Sequence, residues 1–199
     1  MVAKRFLDLF IILIILPLWL PLMGLVALIV YMRMGSPVFF VQERPGYQGR
    51  PFKLIKFRTM RVGESLPDAQ RLSPFGQWLR AISLDELPEL WNIIKGEMSL
   101  VGPRPLLNKY LPLYSPDQYR RHNVPPGLTG WAQIKGRNLV DWEQRFDLDL
   151  WYVDHRTLGL DIMILFKTIR LVFAKEGITG KNSPTMPEFM GNIGAKAKK

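Results

Sequence analysis

Between Leu9 and Met32 the chain carries no charged residue, and the run LFIILIILPLWLPLMGLVALIVYM is apolar almost throughout. It is long enough to span a bilayer, which takes roughly 20 apolar residues. It is too long for a signal-peptide core, and no small-residue cleavage site follows it. Pro17 and Pro21 interrupt the run. Each removes a backbone donor and crowds the preceding turn. A kink near Pro21 leaves two arms of about a dozen residues, each about 18 Å long, which reach roughly to the bilayer midplane. Lys4 and Arg5 precede the run, and Arg33, Arg44, Arg50 and Lys53 follow it. Positive charge on both flanks favours both ends on the cytoplasmic side. A re-entrant hairpin satisfies this pattern. A kinked, fully spanning helix is the alternative, since transmembrane helices tolerate proline. Either form leaves the basic globular part facing the cytoplasm.

Beyond Ser36-Pro37 the pattern changes to short elements. Val38 to Gln42 and Phe52 to Phe57 read as strands, with Gly46 and Gly49 turning the chain between them. Residues 63–73 are polar and read as a loop, and a helix is expected from Pro74 to just before Ser83. Ser83 with Glu86 three residues on is the signature of a capping box. Leu84, Leu87, Leu90, Trp91 and Ile94 then form a helical apolar stripe, with Pro88 near its start and Gly96 at its end. Gly102-Pro103-Arg104-Pro105 must be a stiff, irregular loop. Asp117 is expected to cap a short helix carrying Tyr119, Arg120 and Arg121, and Pro125 to Asn138 is turn-rich around a short strand. Asp141 to Arg156 and Leu160 to Lys175 read as amphipathic helices. Their apolar faces suit ordinary core packing or, with Lys167 and Arg170 alongside, the membrane interface. The tail after Gly177 ends in AKAKK and is expected to be disordered.

The chain has 199 residues, enough for one domain with its own core, and no cysteine, which excludes disulfides and thiolate metal sites. Its formal charge of +10 implies anionic partners: nucleic acid, acidic lipid or a phosphorylated substrate. No compact nucleic-acid recognition motif appears.

Candidate chemistry concentrates on Asp85 and Glu86, adjacent carboxylates within SLDELPELWNIIKGEMSLVGPRP. Near a helix start a carboxylate stays ionised, available as a metal ligand or a nucleophile. Mg²⁺ suits such a site, because it takes oxygen ligands and leaves positions open for substrate phosphates. An aspartate can also accept a phosphoryl group covalently. Lys56, Arg80, Arg104 and Arg137 are the bases expected around the phosphates, where arginine gives bidentate contact. An isolated pair of acidic residues in a first helical turn is ordinarily a capping device. His122 and His155 share no metal spacing. Asp141, Asp147 and Asp149 read as helix surface charges.

Five ordered segments alter that balance: Lys56-Phe-Arg-Thr-Met60, Ser83-Leu-Asp-Glu-Leu87, Asn92-Ile-Ile-Lys-Gly-Glu-Met-Ser99, Val101-Gly-Pro-Arg-Pro105 and Pro126-Gly-Leu-Thr-Gly-Trp-Ala-Gln133. Together they resemble the bacterial sugar transferases, the monotopic phosphoglycosyl transferases, over nearly the whole chain. The resemblance implies transfer of a sugar-1-phosphate from a UDP-sugar to undecaprenyl phosphate with release of UMP, as the first step of glycan assembly at the cytoplasmic face of the bacterial inner membrane. It implies a re-entrant helix broken by proline. Leu20-Pro21 stands here where relatives commonly have Ser-Pro. It implies Asp85 as nucleophile, Glu86 as its partner, Mg²⁺ as metal, and Arg80, Arg104 and Arg137 near the phosphates. It also promotes Asp149 to a site candidate. The chain looks like the minimal form, without the multi-helix membrane domain of larger relatives.

The expected fold class is an α-rich α+β protein. A re-entrant membrane helix spans residues 1–35, a catalytic domain with a short β-hairpin and interfacial amphipathic helices spans 36–180, and a flexible basic tail spans 181–199. The rival readings are a membrane-tethered basic nucleic-acid-binding or scaffold protein, and an enzyme that transfers directly without a covalent step. None of these motifs names the donor sugar.

Overall fold

The computed structural model describes residues 2–62, 71–136, 140–174 and 188–191. Residues 63–70 of the expected loop, Arg137 and most of the basic tail lie outside them. The architecture is helix-rich. By packing, the chain divides into two compact units, Met1–Gln42 with Lys53–Gly96, and Glu43–Phe52 with Glu97–Lys199.

The first unit begins with α1, Val2–Met34, one helix with Pro17 and Pro21 inside it. Asp8, Ile12, Trp19, Val26 and Val30 are its buried residues. Their spacings of four and seven keep them on a single stripe. Phe10, Leu13, Leu18, Leu28 and Met32 are exposed instead. An apolar surface of this extent is stable only against lipid or another apolar partner. The helix is therefore a candidate membrane anchor, long and apolar enough to cross a bilayer. Val26 and Val30 join Phe57 and Leu79 in the core, with Val38, Phe75, Leu84 and Leu87 packed around them.

Strands β1 (Phe39–Pro45) and β2 (Pro51–Phe57) pair as the expected hairpin. Helix α2 (Pro74–Ala81) starts where its sequence predicts: Ser73 accepts from the Gly76 N–H, and proline takes the first helical position. Helix α3 (Glu89–Lys95) ends at Gly96, which is left-handed at φ 85°.

One strand of the second unit's sheet is the short strand expected within Pro125 to Asn138; its partner and their pairing are not announced by the hydrophobic pattern. Strands β3 (Ser99–Val101) and β4 (Gly127–Thr129) run parallel, with Ser99 opposite Gly127 and Val101 opposite Thr129. Close backbone approach sets this register. A Cβ on Gly127 would lie 2.0 Å from the Gly102 nitrogen, and one on Gly130 2.2 Å from the Gly102 carbonyl oxygen. Helix α4 (Pro116–Tyr119) is capped by Ser115 in a full capping box with Gln118, not by Asp117. Pro116 takes the first helical position, so the cap must precede it. Helices α5 (Trp131–Lys135), α6 (Trp142–His155) and α7 (Leu158–Ala174) complete the unit, and Asp141, read from the sequence as a surface charge, instead caps α6 by accepting from the Gln144 N–H. Tyr152 and Ile164 are fully buried here. A second cluster gathers Leu106, Tyr110, Phe146 and Phe189, the last from the described part of the tail.

Candidate active site

Asp85 sits on a single 3₁₀ turn, Leu84–Glu86, and is only 7% exposed. The expected capping box is absent. Ser83 is left-handed (φ 57°, ψ 21°) and its side chain makes no cap hydrogen bond. A capping serine needs extended backbone. Ser83 instead reverses the chain after α2, its N–H donating to the Arg80 carbonyl at 3.0 Å. Pro88 stands at the start of α3, so the single helix expected from Ser83 to Gly96 is a turn followed by a helix. A three-residue turn has too few aligned peptides for a macrodipole. The helix-dipole argument for Asp85 does not hold.

The neighbours of Asp85 supply its setting. Lys56, from β2, places its Nζ 2.8 Å from Glu86 Oε1 and 2.8 Å from Glu89 Oε1. One ammonium thus ties the turn to α3. Asn92, fully buried one turn later, fixes α3 against the strand. Its amide donates to the Lys53 carbonyl at 2.7 Å and accepts from the Ile55 N–H at 3.2 Å. That clamp sets where Lys56 emerges. Trp19 donates to the Leu87 carbonyl at 3.1 Å, so the candidate anchor helix holds the acidic turn directly. Arg5 donates to the carbonyls of Ile93 and Ile94, capping the end of α3. Arg80 is exposed and donates through Nε to Thr59 Oγ1 at 2.9 Å.

In the second unit, Asp149 is 3% exposed, not the surface charge that its helical position suggests. Arg121 Nη2 donates to Asp149 Oδ2 at 2.7 Å, and Nε reaches the same oxygen at 3.2 Å. Burial pushes the Asp149 carboxyl above its ordinary value, and the Arg121 charge opposes that shift. Arg145, stacked over the Trp142 ring at 5.5 Å, is lowered to about 10, first by burial, with Asp149 opposing. The Arg104 carbonyl accepts from Arg121 Nη2 at 2.7 Å. Beside them, His122 faces the Gly46 carbonyl through Nδ1 at 3.2 Å. Burial and then the Arg121 charge lower His122 to about 4, so it is neutral at pH 7 and Nδ1–H is the donor.

The family model for bacterial sugar transferases matches residues 1–175. The chain belongs to the bacterial sugar transferase family. It is 53% identical over 169 residues to an uncharacterized sugar transferase, EpsL, of Bacillus subtilis strain 168, covering 82% of this chain and 84% of that one. It is 39% identical over 196 residues to a UDP-galactose-lipid carrier transferase of Erwinia amylovora, covering 87% of this chain and 41% of that one. It is 40% identical over 193 residues to an undecaprenyl-phosphate glucose phosphotransferase of Komagataeibacter xylinus, covering 85% of this chain and 36% of that one. The chain thus spans most of the first relative and well under half of the other two.

In this sugar transferase, Lys56 and Glu86 touch and Asp85 shares the turn with Glu86. Arg80 lies in the same unit, while Arg104 and Asp149 belong to the other unit and meet through Arg121. Glu89, Asn92 and Arg121 escaped the sequence reading. Glu89 had a signal, since it stands three residues after Glu86 and four after Asp85, the spacing of one helical face. Arg121 had none, being 28 residues from Asp149.

Among the described residues, no three acidic or histidine side chains converge as a metal-binding group. Mg²⁺ does not require three, because it is commonly held by one or two carboxylates, with water and substrate phosphates completing the shell. The oxygen-only donors of Asp85 and Glu86 fit that chemistry. A cation already bridges Glu86 and Glu89, in the form of the Lys56 ammonium.

Proposed function

We propose that this enzyme transfers a sugar-1-phosphate from a UDP-sugar to undecaprenyl phosphate, releasing UMP, in two displacements. A carboxylate oxygen of Asp85 attacks the β-phosphorus. The bond from that phosphorus to the bridging oxygen breaks, and UMP leaves with the electron pair. An oxygen of the lipid phosphate then attacks the phospho-aspartate, and the aspartate carboxylate is regenerated. The observation that carries this reading is the buried Asp85 on a strained turn, next to a glutamate tied to Lys56, within a chain of this family.

Each residue has a defined task. Burial strips water from Asp85, and the turn presents it at one fixed angle. Lys56 holds Glu86 and Glu89 in place and offers positive charge to an arriving phosphate. Arg80, Arg104 and Arg137 neutralise the phosphate oxygens. Asp85 and Glu86 would hold Mg²⁺, which when bound neutralises charge on the transferring group. Asp149 is a further site candidate.

Residues 1–35 form a re-entrant element broken near Pro21, with the catalytic part, 36–180, on the cytoplasmic face of the inner membrane. Cations on both flanks of α1 support that orientation. Exposed Leu158, Ile162, Phe166 and Ile169 on α7, with Lys167 and Arg170 beside them, support an interfacial setting for that helix.

The test is a panel of radiolabelled UDP-sugars assayed with undecaprenyl phosphate in detergent. Lipid-linked product and equimolar UMP from one donor are expected. No product from any donor sinks the reading and returns the tethered scaffold as the better one.

A further inference from the structure

The segment from Val101 to Leu106 carries Arg104 and cannot hold itself by ordinary pairing. Pro103 and Pro105 have no N–H to give. Gly102 is wedged so tightly that a Cβ would lie 2.4 Å from the Pro125 carbonyl oxygen. Its carbonyls are gathered instead by donors from elsewhere in the same unit. The Val101 oxygen accepts from the Tyr152 hydroxyl at 3.2 Å, and the Pro103 oxygen from the Gly127 N–H at 3.0 Å. The Arg104 oxygen accepts from Arg121 at 2.7 Å, and the Pro105 oxygen from Arg44 at 3.4 Å.

Arg121 is fixed by charge. The same Nη2 that serves Arg104 also serves Asp149, and Nε aims at the same carboxylate oxygen. The guanidinium lies 5.9 Å from the centroid of the Phe146 ring, and Phe146 packs edge-on against Phe189 from the tail. Arg121 is only 2% exposed. Its charge is engaged by a carboxylate, and its geometry is engaged by the backbone of a residue already assigned to phosphate.

We propose that Arg121, oriented by Asp149, is a positioning residue for Arg104. It fixes the backbone from which the Arg104 guanidinium serves an anionic substrate. Asp149 then acts on the reaction through Arg121 and touches neither metal nor phosphate. The planar fork makes this possible, because two donors on one rigid group can hold a side chain and a carbonyl at a set angle. The inference rests on the reading of Arg104 as a phosphate-binding residue.

The test is a double-mutant cycle with a second readout that needs no turnover. Arg121→Lys keeps the charge and loses the fork. It should lower kcat/KM for the UDP-sugar about tenfold in the otherwise unaltered chain, since small misplacements of binding groups carry losses of that order or more. With Arg104→Ala already present, the further loss should be under about twofold, because residues acting through one group are not additive. Equal losses in both backgrounds overturn the proposal, as does no loss in either. In parallel, amide exchange at Gly102, Arg104 and Leu106 should speed up in Arg121→Lys while exchange across α7 holds. Unchanged exchange at those three amides overturns it whether or not the protein turns over. A wild-type chain without product but with the expected exchange pattern instead removes the phosphate reading of Arg104 and keeps the positioning. Should Arg121→Lys not fold, Asp149→Asn carries the same expectations.

Discussion

Two carboxylate–cation groups, one in each unit, have opposite designs. In the first unit one lysine ammonium stands 2.8 Å from two glutamates, next to Asp85. In the second, one arginine binds a single aspartate and a backbone carbonyl, and both ionic partners are almost wholly buried. A lysine is a compact point charge on a flexible stem. It can trade one carboxylate for a phosphate without moving its backbone. An arginine whose Nε and Nη2 are both engaged cannot trade those bonds without leaving a buried group unpaired. Under the proposed function, the first group can exchange a carboxylate for a substrate phosphate, and the second cannot. Activity and stability should therefore separate between them.

The largest separation is expected between Asp85→Asn and Asp149→Asn. Loss of a nucleophile should cut product formation roughly 10⁴-fold or more. Asp149→Asn should lose far less activity than Asp85→Asn and should lower the unfolding midpoint. Product release and thermal unfolding in the same detergent check both. A stable Asp149→Asn protein with activity as low as Asp85→Asn would put Asp149 in contact with substrate and collapse the contrast.

Breaking the second group outright gives the next largest effect. Arg121→Ala leaves the Asp149 carboxylate buried without its partner, which costs about 3–5 kcal/mol. The double change Arg121→Met with Asp149→Leu should recover most of that loss, since an apolar pair of similar volume needs no compensating charge. Chemical unfolding of the single and double variants measures it. A double variant as unstable as Arg121→Ala would show that the pair contributes more than mutual neutralisation.

How far such features can be read from sequence follows from the range of the interactions. The start of α2 at Pro74 is legible because the proline and the apolar residues that follow it are neighbours in the chain, whereas the capping by Ser73 and Asp141 appears only in the structure. The β1–β2 hairpin is legible because its turn glycines lie between its strands. The β3–β4 pair is not. Its strands are three residues each, far apart in sequence, and their register depends on how closely Gly102, Gly127 and Gly130 approach. The site divides in the same way. Asp85, Glu86 and Glu89 share one short stretch, whereas Lys56 is placed by the Asn92 clamp and Arg121 by its ion pair with Asp149. Motif order could flag Asp149 but could not show that its partner is an arginine 28 residues away.

A smaller effect separates the two groups by pH. His122 lies beside Arg121, and its value of about 4 is below the ordinary 6.5. The unfolded chain therefore takes up a proton first as pH falls. The stability that neutral His122 contributes is fully present above about 6.5 and is lost progressively toward 4, at about 1.4 kcal/mol per pH unit. Between pH 7 and pH 5 the wild type should lose about 2 kcal/mol more than His122→Asn, whose amide can still donate to Gly46. Unfolding curves of both proteins at the two pH values decide it. Parallel curves would mean that the imidazole is protonated in the folded protein.

The smallest effect tests the turn that carries Asp85. A capping serine and a left-handed serine predict different tolerances at position 83. If Ser83 capped a helix through its hydroxyl, threonine would serve nearly as well. At φ 57° a β-branched side chain collides with the backbone, so Ser83→Thr should cost about 1–2 kcal/mol. Ser83→Gly should stay within about 0.5 kcal/mol, because relief of the left-handed strain offsets the added freedom of the unfolded chain. Unfolding of the two variants ranks them, and threonine outperforming glycine would restore the capping box. The ranking bears on mechanism as well. Ser83→Gly leaves the turn's geometry available while loosening its entry, so activity lost without stability would mean that rigid presentation of Asp85, not its burial alone, serves the reaction.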